Sequence, residues 1–194
     1  MSKRIALLSA AAFAALAVTA SLVAPVSAQD KMTKSEMSGE KTVMVGGAAM
    51  FPSKNIIQNA VNSKDHTTLV AAVKAAGLVD TLEGKGPFTV FAPTNAAFGK
   101  LPAGTVDTLV KPENKATLTK ILTYHVVAGK LEASDLTDGK KLKTVEGEEL
   151  TVKKSGDSVM IVDAKGGSST VTIPNVNQSN GVIHVIDTVL MPAS

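Results

Sequence analysis

Tyr124 and His125 stand side by side in ILTYHVVAGK, residues 121–130, and pair the chain's single tyrosine with one of its three histidines. Such a pair could act as acid and base, supply half of a metal site, present a recognition surface, or pack in the core. Spacing weighs against the first two. Neighbours in a strand point to opposite faces, and at a helix end they diverge by about 100°. Neither arrangement lets two side chains serve one proton. The expectation is therefore a divided pair. One residue is in the core with its polar atom on a backbone group, and the other is near the surface. Tyr124 and His125 are the candidate binding residues on this reading.

The other candidates are weaker. In GVIHVIDTVL, period 2 puts Val182, His184, Ile186 and Leu190 on one face and Ile183, Val185, Asp187 and Val189 on the other. His184 and Asp187 thus oppose each other, and both faces are apolar, as in a central strand. His66, in KDHTTL, precedes a helix and reads as a solvated or cap-adjacent residue. Zinc needs three or four converging N or S ligands, so a chain without cysteine and with three scattered histidines is not expected to hold one. NVNQSNG, residues 175–181, has the Asn and Gly of a calcium loop but places Asn180 one position late, with no bidentate Glu following; it reads as a turn into the last strand. There is no G-x-S-x-G elbow. DAKGGSST has phosphate-loop glycines but no helix after them, so it reads as a hairpin turn. No catalytic residue, metal or cofactor is expected.

The elements that position these residues are legible in part. Asn55 can cap a helix carrying Ile56, Ile57, Ala60 and Val61. Leu69, Ala72, Val73 and Ala76 form a helical stripe that Gly77 stops. Gly86-Pro87 is a turn into a strand over Phe88–Ala92, and Thr94 can cap a short helix through Phe98. A further short helix fits residues 104–110, and Pro112 suits the first position of a helix striped by Leu118, Ile121 and Leu122. Beyond Gly129, β-rich runs near 142–145, 149–153, 158–163, 170–173 and 181–190 alternate with Gly, Asp, Ser and Asn turns. A helical first half and a strand-rich second half predict an α+β domain.

The N-terminus has its own logic. Lys3 and Arg4 precede an uncharged apolar run from Ile5 to Val23, then Pro25 and the small-residue site Val26-Ser27-Ala28. This pattern predicts a signal peptide over 1–28, a mature chain starting at Gln29, and no stable membrane span after cleavage. Residues 29 to about 47 are polar and aperiodic, and a flexible tail is expected over 29–52 ahead of a domain over 53–191. The 20 basic residues, less Lys3 and Arg4, leave 18 against 17 acidic ones, and Arg4 is the single arginine. No arginine fork, one tyrosine and no tryptophan argue against nucleic acid. An exported chain without cysteine relies on its core and not on disulfides. No internal repeat is visible, so one domain copy and a monomer are expected.

Three stretches carry a resemblance. FTVFAPTNAAF (Phe88 to Phe98), TYHVVAGKL and NGVIHVIDTVLMP (Asn180 to Pro192) resemble, in order and spacing, the two signature blocks and the intervening Tyr-His motif of fasciclin (FAS1) domains. The pattern is similar to the small secreted single-domain bacterial members. The resemblance implies a compact wedge of β-strands with helices packed on it, and a non-enzymatic adhesion or binding role. The implied partner is an extracellular or envelope protein or glycan, and the implied destination is the periplasm or the exterior. The acidic-Pro-Asp-Ile-Met peptide by which animal members meet integrins has no counterpart here, where LPAGTVDTLV occupies the region. Two other classes fit the same composition: a periplasmic carrier of a small molecule or lipid, and an envelope structural protein.

Overall fold

The computed structural model describes residues 41–193. The signal segment and residues 29–40 of the expected tail lie outside them. The rest of that tail is a finding against the expectation. Val43–Val45 (β1) and Ala48–Met50 (β2) form an antiparallel hairpin, with Val45 paired to Ala48 across a Gly46-Gly47 turn. Both glycines have positive φ, as a type I′ two-residue hairpin turn requires. Three-residue strands are too short to show a period, so the segment reads as aperiodic in sequence. Burial of Val45 and Met50 at 3% exposure ties it to the core.

The helices follow their caps. Asn55 accepts from the Gln58 N–H at 2.8 Å, and the Gln58 side chain accepts from the Asn55 N–H, a closed capping box that starts α1, Ile56–Ala60. A 3₁₀ turn, Lys64–His66, leads into α2, Thr67–Ala76, which buries the expected stripe and ends at Gly77 in the left-handed region. α3, Val79–Glu83, is too short and too polar to be read in advance. Thr94 caps α4, Asn95–Gly99, and α5 spans Thr105–Leu109. Pro112 opens a 3₁₀ turn that runs into α6, Lys115–Tyr124, with Leu118, Ile121, Leu122 and Tyr124 buried.

Seven strands make the main sheet, in the order β4-β3-β9-β8-β7-β6-β5. They are β3 (Phe88–Pro93), β4 (Val126–Ala128), β5 (Lys141–Lys143), β6 (Glu149–Ser155), β7 (Ser158–Val162), β8 (Ser168–Gln178) and β9 (Gly181–Ile186). β3 and β9 run parallel, and the other neighbours are antiparallel. The two ends of the sheet meet just beyond β5, through a bridge between Val127 and Thr144 and a bond from Val145 N–H to Val126 O at 2.7 Å. β8 is longer than its β-rich run suggests, because Pro174 sits in a bulged stretch where the register slips between Ile173 and Val176. β9 stops at Ile186, short of residue 190.

β3 and β9 are covered on both faces. Val90, Ala92, Ile183 and Val185 face a core shared with the helices and the hairpin. Phe91 and Ile186 face a second core enclosed by the curled strands, with Leu136, Leu150, Val152 and Ile161. The fold is α+β with helices packed on a wrapped sheet, as the sequence predicts.

Candidate functional site

Tyr124 ends α6 and His125 is its C-cap, with helical φ of −83° and ψ of −2°. The chain turns straight into β4, so the pair stands where the two cores meet. Tyr124 enters the strand-enclosed core, fully buried, and its hydroxyl accepts the Ala164 N–H at 2.8 Å. That bond ties the end of α6 to the turn after β7. His125 goes the other way, 3% exposed. Its Nε2 accepts the Leu190 N–H at 3.0 Å. Its Nδ1 therefore carries the proton and donates to Ile121 O at 2.8 Å. Burial pushes this imidazole down to about 4, so it is neutral at physiological pH. Protonation would set an N–H against the Leu190 N–H.

The expectation that one member of the pair lies near the surface is corrected. Both are buried, because neighbours on opposite sides of an element are both core when both sides are covered. As binding residues they offer no ring surface to a macromolecule. What they hold is backbone.

His184 lies in central strand β9, fully buried and stacked on Phe91 with centroids 5.7 Å apart. Its Nδ1 accepts the Asn175 N–H at 3.3 Å, and its Nε2–H donates to Leu131 O at 2.8 Å. It joins the β8 bulge, where Asn175 has φ of 57°, to the loop after β4. Asp187 does not approach it. That carboxylate accepts the Thr170 N–H at 2.9 Å and pairs with Lys100 at 3.5 Å. His66, expected to be solvated or cap-adjacent, stands at the N-cap position of α2 and is 3% exposed, with Nδ1 bonded to Ser63 Oγ at 2.9 Å. Burial pushes His66 and His184 down as well. Among the described residues, no three His, Cys, Asp or Glu side chains converge as a metal site would require.

The NVNQSNG stretch holds what sequence reasoning missed. Asn180 lies in the β8–β9 turn; its Oδ1 accepts the Ile56 N–H at 3.1 Å, and its amide donates to Leu82 O at 2.7 Å and Gly84 O at 2.9 Å. One side chain thus clamps α1 and α3 to the sheet. Asn59 spans Phe51 with two bonds, of 3.0 and 2.8 Å, and bonds Gln178, which anchors the hairpin's exit. A buried Asn that satisfies several backbone groups leaves no periodic trace. Gly181 follows because a side chain there would run into the Phe88 carbonyl.

Helices on a wrapped sheet, with a buried Tyr-His joint at the seam, define a class of domain, and comparison identifies it. The fasciclin domain model matches residues 64–192. The chain belongs to the fasciclin family. It is 49% identical to protein sll1483 of Synechocystis over 79% of this chain and 82% of that one. It is 42% identical to the immunogenic protein MPB70 of Mycobacterium bovis over 69% of this chain and 66% of that one. It is also 42% identical to the cell surface glycolipoprotein MPB83 of the same species, over 76% and 64%. Among solved structures, a FAS1 domain pair from the insect cell adhesion molecule fasciclin I superposes with a TM-score of 0.65 at 20% identity, over 73% of this chain and 52% of that one. That likeness bears on the fold. No helix among the described residues is long and apolar enough to cross a membrane.

Proposed function

We propose that this chain is an exported, non-enzymatic adhesion module that contacts a protein, matrix or cell-surface component outside the cytoplasm. The observation that carries the reading is the family match together with a relative named as a cell surface glycolipoprotein. The chemistry of the interior agrees with it. Tyr124, His125 and His184 each spend their polar side-chain atoms on backbone groups.

The test is saturable retention of the full mature chain on envelope and matrix fractions. The fractions are treated beforehand with protease or with periodate, so that loss of retention assigns the partner to protein or glycan. Retention that saturates and falls with one treatment supports the proposal. Retention no greater than that of an unrelated domain of equal size and charge overturns it.

A further inference from the structure

Asn180 is the one asparagine in the chain that a glycine follows, and the fold needs both residues. The asparagine's side chain clamps the Ile56 N–H and the carbonyls of Leu82 and Gly84. An acceptor and two donors on so short a stem are what asparagine alone supplies. The glycine opens β9 beside β3, where an added Cβ would run into the Phe88 carbonyl oxygen. Packing therefore imposes the Asn-Gly dipeptide at the β8–β9 turn.

That dipeptide is chemically labile. The backbone nitrogen of the residue after an asparagine can attack the side-chain Cγ. Glycine leaves that nitrogen unshielded and lets the backbone rotate to bring it in. The new N–Cγ bond closes a succinimide ring, the Cγ–Nδ2 bond breaks, and ammonia leaves with the proton from the Gly181 nitrogen. Water then opens the ring at either carbonyl, which gives aspartate or isoaspartate at position 180.

The folded chain blocks the first step. Oδ1 and the amide of Asn180 make three bonds of 2.7 to 3.1 Å, and the residue is 8% exposed. The Phe88 N–H holds the Asn180 carbonyl at 3.1 Å, so the attacking peptide is fixed as well. Neither can turn unless these bonds open. Three side-chain bonds, worth about fivefold each, hold the reaction back about a hundredfold. The product cannot resume the clamp. A carboxylate only accepts, and it would face the Leu82 and Gly84 carbonyl oxygens. Isoaspartate adds a carbon to the backbone of a tight turn whose flanks, Gln178 and Gly181, are paired.

We propose that Asn180 is a deamidation site gated by the fold. It reacts with water when the β8–β9 turn is released from the helices, and the modified chain does not return to the folded state. This inference stands apart from the adhesion reading and does not depend on it.

The test uses the full mature chain, held at neutral pH in buffer and in enough urea to unfold it. Peptide mapping follows each asparagine for the mass gain of about one dalton that deamidation brings. In urea, Asn180 should react faster than every other asparagine, and G181A should slow it severalfold, with the fold playing no part. In buffer the same site should react at least about a hundredfold more slowly. Chains aged in urea are then returned to buffer and treated with protease. The surviving pool should be depleted of chains modified at position 180, and N180D should be digested as those chains are. Comparable rates in buffer and urea, a faster site elsewhere in urea, an unslowed G181A, or modified chains that survive protease as well as unmodified ones overturn the proposal.

Discussion

Tyr124 and His125 use adjacent side chains to hold two different pieces of backbone. The hydroxyl holds the turn at Ala164, and the imidazole holds the C-terminal segment at Leu190. Tyr124→Phe keeps the ring and removes the acceptor, so it should lower stability by about 1–2 kcal/mol, read from chemical denaturation, with the fold unchanged. A variant as stable as the parent would mean that Ala164 finds water instead. His125 makes a pH prediction. Unfolded, its imidazole titrates near 6.5, and folded, burial pushes it down to about 4. Between those values the unfolded chain binds a proton that the folded chain refuses. Stability is therefore whole above about pH 6.5, declines as pH falls toward 4, and levels off below. The part owed to His125 is about 3 kcal/mol. His66 and His184, also pushed down by burial, act in the same direction. Denaturation at pH 7 and pH 4.5 should show a smaller acid loss in His125→Gln than in the parent; equal losses would remove His125 from the account.

At the scale of elements, the hairpin β1–β2 changes what the N-terminal segment is. Val45 and Met50 pack in the helix-facing core, and Asn59 grips Phe51 where the chain leaves it. Two nested truncations separate this from the polar segment before it. Beginning the chain at Lys41 should leave the melting temperature nearly unchanged. Beginning it at Phe51 strips two buried apolar side chains and should cost roughly 3–6 kcal/mol. Equal melting temperatures for the two would show that the hairpin contributes nothing to the core. Elements with a cap and a stripe were readable in advance: Asn55 and Thr94 cap as expected, and α2 and α6 bury the expected faces. Short elements that lack a cap, a stripe or a β-rich run, such as β1, β2, β4 and α3, were not. They hold too few positions for a period to show.

For the whole molecule, the Val127–Thr144 bridge brings the two end strands of the sheet together beside the strand-enclosed core, with helices on the sheet's other side. This arrangement needs no disulfide, and the chain has no cysteine to make one. It agrees with the export proposed for the chain, which rests on the signal-like N-terminus. Protein recovered after export should begin at Gln29 by mass spectrometry. An intact Met1 on exported chains would show that the leader is retained.

The sequence by itself determined what depends on near neighbours: caps, stripes, turns, the helical-then-stranded order, and the three ordered blocks that mark the fasciclin family. The tertiary structure alone decided what depends on residues brought together from afar. Asn180 reaches Ile56 across 124 positions, and nothing in either neighbourhood announces it. Whether Tyr124 and His125 face water or protein was likewise a question of what lies on each side of the seam, and both sides are covered. The same holds for a void beside His66: it is a mismatch among side chains from the hairpin, the helices and the sheet, and local periodicity carries no record of how well distant surfaces fit.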